Sequence, residues 1–194
     1  SRWGPRAGGG TSAGGAARGA RPGTWPRHMS NEIPSRDIAA QGLAASPDAP
    51  WERRLERARQ CWDEARHVAA LHRRLRQLGG RKGEFPISTF EWSVTCALGT
   101  LAARLATQNR TFEAGAMDVV GGLCPALREV GDPETAELLE GILADEVHHV
   151  RFANRWIKAF VEQDRRVLLQ VAAAVRLLAE ANAVLQSEAG EANA

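Results

Sequence analysis

Asp63-Glu64-Ala65-Arg66-His67 and Asp145-Glu146-Val147-His148-His149 are two copies of one pattern, Asp-Glu-x-x-His. On a helix, residues three apart meet on one face, so each copy brings a carboxylate oxygen and an imidazole nitrogen to a common point. That donor pair suits a divalent first-row cation. Glu146 follows Leu143 by one turn, and Glu64 and His67 run in line with Leu71 and Leu75, so both pairs share the stripes that their helices use for packing. A carboxylate buried there without a partner is costly, and coordination of a cation removes that cost. A single Glu-x-x-His would be an ordinary pair on a solvated face. The duplication, the Asp before each Glu and the apolar setting argue for metal.

Two such helices, with one Glu from each of two others, make a dinuclear carboxylate site. Glu113, in Thr111-Phe112-Glu113-Ala114-Gly115, is one candidate, and a surface helix charge is its alternative. Glu32 is the other, in competition with Asp37 and with a role in capping its own helix. Glu91 reads as a capping-box residue rather than a ligand. His72 and His148 fall off their stripes and are expected to be exposed. A ligating imidazole usually donates its second N–H to a carboxylate. Across an antiparallel helix pair, Asp63 could serve His149 and Asp145 could serve His67, ordinary surface aspartates being the alternative.

The periodicity around these residues is helical throughout, and nothing reads as a strand. Asn31 can cap a short helix over residues 32–45, with Pro34 in its first turn, and SPDAP (46–50) breaks it. A second helix over 51–78 carries the stripe Ala58, Cys61, Val68, Leu71, Leu75, Leu78 and stops at Gly79-Gly80. Ser88-Thr89-Phe90-Glu91 opens a third segment that runs to about 119, with a break near Gln108-Asn109, before Gly121-Gly122. Asp132-Pro133 caps a fourth helix that packs Ala136, Leu139, Leu143, Val150, Ala153, Ile157 and Phe160. A fifth, over 164–187, packs Val167, Leu168, Val171, Val175 and Leu178. The expected fold is all-α: a four-helix bundle with an additional C-terminal helix.

The chain of 194 residues suits one such domain over 29–190. Residues 1–28 hold eight Gly, three Pro and five Arg without an acid or any periodicity, and are expected to form a disordered tail. With a net charge of +2 for the whole, the remainder is mildly acidic, which gives no electrostatic reason to expect nucleic-acid binding. No apolar run reads as a membrane span and the first 28 residues lack a signal-peptide core. Three isolated cysteines fit a reducing cytoplasm.

PDAPW, CWDEARH, LGG, GEFP, NRTFEAGAMD and DEVHHVRFA resemble an uncharacterised bacterial ferritin-like family within the superfamily of di-iron carboxylate proteins, over residues 31–165. The resemblance implies a ferritin-like bundle with Glu32, Glu64, His67, Glu113, Glu146 and His149 as ligands to two iron ions, manganese fitting either position. It also implies an O2-dependent oxidoreductase, a hydroxylase or oxygenase of a small organic molecule. Its partners would be that substrate, O2, an external electron donor and a second copy of the chain in a homodimer, with no membrane. Ferroxidase or iron handling, and a modification enzyme like the tRNA-hydroxylating members, are the alternatives. The chain has no tyrosine, which excludes a stored tyrosyl radical. Where multicomponent hydroxylases place a threonine one turn beyond the third-helix Glu, this chain has Met117. Trp156 reads as a core aromatic, with electron transfer as the alternative.

Overall fold

The computed structural model describes residues 24–84 and 88–191. Every regular element among them is helical: α1 (Thr24–Ala44), α2 (Trp51–Gln77), α3 (Phe90–Ala97), α4 (Leu101–Thr107), a π-helical segment (Gln108–Glu113), α5 (Ala114–Glu129), α6 (Pro133–Gln163) and α7 (Val167–Glu191). The expected tail falls largely on residues 1–23, outside the described residues. From Thr24 the chain is helical, so the first helix is longer than its sequence suggested. Asn31 and Pro34 lie inside it, and Asn31 is not its cap.

Helix stops follow local backbone chemistry. After α2, Gly79 takes φ +85°, and the N–H groups of Gly79 and Gly80 return to the carbonyls of Arg76 and Leu75 at 3.1 and 2.9 Å. This is the Schellman arrangement, which a left-handed glycine closes. The same device ends α5: Gly131 has φ +82°, and Gly131 and Asp132 bond back to Arg128 and Leu127 at 3.1 and 2.8 Å. Asp132 then caps α6 by accepting from Thr135 N–H at 3.1 Å, with Pro133 at the first helical position. Gly121 and Gly122 do not end the third segment as expected. Burial of Val120, Cys124 and Leu127 carries α5 past them. Gly131→Ala is expected to cost about 1 kcal/mol in a denaturant titration, because alanine is strained at that φ.

α2 runs antiparallel to both α1 and α6. Arg74 near the end of α2 bonds Asp132 and Thr135 at the start of α6, each at 2.7 Å, and Trp156 donates to Glu56 near the start of α2 at 2.7 Å. Trp156 also packs on Phe160, with ring centroids 6.1 Å apart, as a core aromatic would. Two apolar clusters fill the bundle-like assembly. One joins Leu71, Val120, Leu127, Leu139 and Ile142, and the other joins Leu105, Phe152, Ala153 and Ile157. Along α6 the polar pair Glu146 and His149 falls between them.

Two expected stripes need correction. The buried face of α2 continues from Leu71, His67 and Glu64 back through Gln60, Arg57 and Arg53, while Ala58 is exposed. The apolar periodicity missed this because the face is polar over that length. On α7, Val167, Ala174 and Leu178 are buried, whereas Leu168 and Val175 are 54% and 44% exposed. The stretch Val167–Val184 also meets the length and hydropathy of a membrane span, contrary to the sequence reading, though composition alone supports that assignment.

Candidate metal centre

α2 and α6 face each other so that their Glu-x-x-His pairs interleave. His67 Nδ1 stands 3.5 Å from Glu64 Oε2 and 3.5 Å from Glu146 Oε1. His149 Nδ1 stands 3.1 Å from Glu146 Oε2 and 3.5 Å from Glu64 Oε1. α1 brings Glu32 to 3.1 Å from His67 Nδ1, and the π segment delivers Glu113 from the far side. The six residues form two groups, Glu32, Glu64, His67, Glu146 and Glu64, Glu113, Glu146, His149, each with its ligand atoms within 4.8 Å of one another. Opposite ligands on one ion at roughly 2.1 Å stand about 4.2 Å apart, so each group could hold a metal ion. Glu64 and Glu146 belong to both. Asp37, the competitor for Glu32, instead accepts from Arg36 at 2.9 Å.

Glu64 is 1% exposed, yet neither of its oxygens receives a hydrogen bond. A buried carboxylate so placed demands a cation or a proton. Burial, followed by Glu32, Glu146 and Glu113, holds its carboxyl well above the usual carboxylate range. Burial and Glu146 push Glu113 up to about 8, against the pull of His149, Arg57 and Asn109. Burial and Glu32 push Glu146 up to about 8 as well. Burial draws His67 down, but the hydrogen bond and charge of Glu32, with Asp145 and Glu146, outweigh it and leave His67 raised. Several like charges crowd together with Glu64 bare at their centre, which fits a cation-binding set.

The outward ring nitrogens are held as the antiparallel geometry suggested. His67 Nε2 meets Asp145 Oδ2 at 3.2 Å, and His149 Nε2 meets Asp63 Oδ2 at 3.3 Å. With Nε2 donating to its aspartate, each imidazole could offer its Nδ1 lone pair to a bound ion. Arg66 closes the outside by donating to both Asp63 and Asp145. Of the two histidines expected to be exposed, His148 is exposed and His72 is half-buried.

A second layer was not legible in the sequence. The expected third segment is interrupted at 98–100, between α3 and α4, and not near Gln108-Asn109. There the helix runs on through the π segment, whose Thr111 hydroxyl donates to the Ala106 carbonyl at 3.0 Å. The wider turn of the π segment lets Gln108, Asn109 and Glu113 all face inward. Asn109 Nδ2 donates to Glu113 Oε2 at 2.8 Å, and Gln60 donates to the other oxygen. Behind them lies the buried guanidinium of Arg57, which donates to Gln60 and Gln108 at 2.6 Å each. Gly42 of α1 admits it, since a Cβ there would stand 3.1 Å from Arg57 Nη2. The signal available was spacing: Gln60 and Arg57 lie four and seven residues before Glu64. Gln60→Leu leaves a Glu113 oxygen without its donor. Calorimetric titration with Mn(II) is expected to show roughly 10- to 100-fold weaker binding at the Glu113 group.

Glu91 departs furthest from expectation. Ser88 Oγ accepts from the Phe90 N–H at 3.2 Å at the start of α3, but Glu91 does not complete the expected capping box. Glu91 instead accepts from Ser35 Oγ at 3.0 Å, and burial with the charge of Glu113 raises it to about 8. It borders a cavity of about 80 Å³ lined by the acids Glu32, Glu64, Glu113 and Glu146 and by the apolar Leu71, Phe112, Met117, Val120, Leu139, Ile142 and Leu143. Of the small residues near Glu113, Ala116 lines the cavity, while Gly115 is exposed.

A family model described as a protein of unknown function, DUF455, matches residues 32–183, a span that begins at the first candidate ligand and includes all six. The chain belongs to the DUF455 family. No curated protein and no solved structure matches it. The match leaves the chemistry of this DUF455 chain to be argued from its own side chains.

Proposed function

We propose that this chain is a dimetal, O2-dependent oxidoreductase of the ferritin-like superfamily, a hydroxylase or oxygenase of a small organic molecule. The observation that carries this reading is the cavity of about 80 Å³ between the shared carboxylates and an apolar wall. That is several times the room one water needs, and iron handling alone requires no apolar pocket. Ligands rising from α1, α2, the π segment between α4 and α5, and α6 support a ferritin-like four-helix bundle with α7 as the added helix. Five acids and no Lys, Arg or His among the described lining residues disfavour a polyanion such as tRNA.

Glu32 and His67 would hold one ion and Glu113 and His149 the other, with Glu64 and Glu146 available to both. Carboxylates and imidazoles suit iron, and manganese fits the same donors. Two ferrous ions bound there would supply electrons for O2 activation. The chain's part is to fix both imidazoles through Asp63 and Asp145, anchor Glu113, and keep an organic molecule beside Glu64 and Glu146. An external electron donor would restore the centre after each turnover. The free thiols of Cys61, Cys96 and Cys124 accord with a reducing cytoplasm.

Anaerobic iron loading followed by O2 exposure tests this, with iron counted per chain and the reaction followed optically. The expected result is prompt oxidation with about two irons per chain throughout. Accumulation of ferric iron far beyond that number would establish iron handling instead. An iron-loaded protein inert to O2 would remove both readings.

A further inference from the structure

Among the described residues lining the cavity, Glu91 alone is an acid outside both ligand groups. α3 carries it, and the edge-to-face contact of Phe90 with Phe112, centroids 6.1 Å apart, ties α3 to the π segment. Ser35 is the one donor that the described residues offer its carboxylate. Ser35 itself is buried, so the carboxylate is held to one wall.

The formal charges are uneven once ions are bound. Two dications balance Glu32, Glu64, Glu113 and Glu146, and His67 and His149 serve as neutral ligands. Glu91 is then the one described acid facing the cavity that no bound ion neutralises. A cation beside it would favour its ionised form over the proton that burial favours. No Lys, Arg or His lies among the described lining residues, and Arg57 is committed to Gln60 and Gln108 behind Glu113. A carboxylate in a cavity with an apolar wall is stabilised by a cation that also donates hydrogen bonds.

We propose that Glu91 is the substrate anchor and that the substrate is a small primary amine with an apolar body. The ammonium, charged at neutral pH as lysine is, pairs with Glu91 and displaces no protein donor. The apolar part lies along Leu71, Met117, Val120, Leu139 and Ile142, which brings its carbons toward Glu64 and Glu146. A carboxylate molecule finds no Lys, Arg or His among the described lining residues and meets like charge at Glu91, so only the ions themselves could hold it, away from the anchor. Neutral alcohols can donate one bond to Glu91 but bring no charge. Glu91 positions the molecule and holds no metal. The proposal rests on the cavity being the substrate pocket of a dimetal site.

The test uses the full chain loaded with Mn(II) under anaerobic conditions, titrated calorimetrically with butylamine, butan-1-ol and butyrate. Butylamine is expected to bind at least about tenfold more tightly than butan-1-ol, and any butyrate held by Mn(II) is expected not to weaken in Glu91→Gln. Glu91→Gln is expected to abolish the amine preference while the metal count stays that of the native chain. Ser35→Ala, a milder change, should weaken amine binding severalfold by freeing the carboxylate. Equal binding of the three probes would overturn the anchor, as would an amine preference that survives Glu91→Gln. Loss of an ion in Glu91→Gln would make Glu91 a ligand and also overturn it. Should that variant not fold, the native chain's selectivity and the Ser35→Ala result decide. Amine binding through Glu91 in an iron-loaded protein inert to O2 leaves the anchor standing and removes the oxygenase reading. O2-driven oxidation of neutral molecules without amine preference does the reverse.

Discussion

Glu64→Ala is expected to abolish metal binding altogether, from about two ions per chain to none, whereas Glu32→Ala and Glu113→Ala each leave about one. Glu64 belongs to both four-residue groups. Both its oxygens lack a hydrogen-bond donor in a nearly solvent-free position. Glu113 and Glu32 each enter a single group, and Gln60 and Asn109 already occupy Glu113 from behind. Elemental analysis after anaerobic loading and desalting reads the count directly. A companion change separates metal binding from folding. In the metal-free chain at neutral pH, Glu64→Gln should raise the melting temperature, because a neutral amide replaces a crowded carboxyl and can donate to Glu32 or Glu146. A Glu64→Ala protein that keeps both ions would remove the metal reading of this cluster, and so would full metal content in a His67→Ala, His149→Ala double variant.

The second large effect is a pH dependence that metal reverses. Glu113 and Glu146 stand at about 8 in the folded metal-free chain against an ordinary 4.5, and Glu64 is raised in the same sense. Between those values the folded state keeps protons that the unfolded state has released, so folding stability falls as pH rises from 4.5 to 8. His67 acts in the same direction. Its raised value favours the folded state at low pH, and that contribution is lost as pH climbs through it. The metal-free melting temperature should therefore drop by about 5 °C or more from pH 5.5 to pH 8. Ions take the place of those protons, so saturating Mn(II) should flatten or invert the trend and raise the melting temperature at pH 8 by roughly 10 °C or more. Scanning calorimetry at both pH values, with and without metal, measures all four quantities. A metal-free chain that gains stability toward pH 8 would contradict the crowding of carboxyls described here.

The two Asp-Glu-x-x-His segments were legible because the helical period places i and i+3 on one face whatever the rest of the chain does. The duplicated Asp was legible for a related reason: in an antiparallel pair, equal offsets meet, so Asp63 reaches His149 and Asp145 reaches His67. Asp132-Pro133 and Gly79-Gly80 announced their helix ends through backbone chemistry confined to a few residues. Gly121-Gly122 carried the same local signal and did not end a helix, because burial of Val120, Cys124 and Leu127 against α6 outweighed it.

Glu91 shows where local reasoning stops. Ser88 to Glu91 satisfies a capping pattern, but the geometry of α3 against α1 offered Ser35 as a partner, and Glu91 turned to it. Arg57, Gln60 and Gln108 read as surface residues because charge and amide groups are usually solvated. Only the convergence of α1, α2 and the π segment, with Gly42 clearing space, gave them partners inside. The exposure of Leu168 and Val175 on α7 follows from the same cause, since a helix meeting the bundle mainly through α4 buries one narrow edge. The sequence by itself determined that the chain is helical, the ends of α2 and the start of α6, and which donors share a face. It did not place the start of α1, the break between α3 and α4 or the end of α5. Tertiary structure alone decided which faces meet, because that choice depends on contacts among residues far apart in the chain, and it thereby decided the cavity and the residue that guards it.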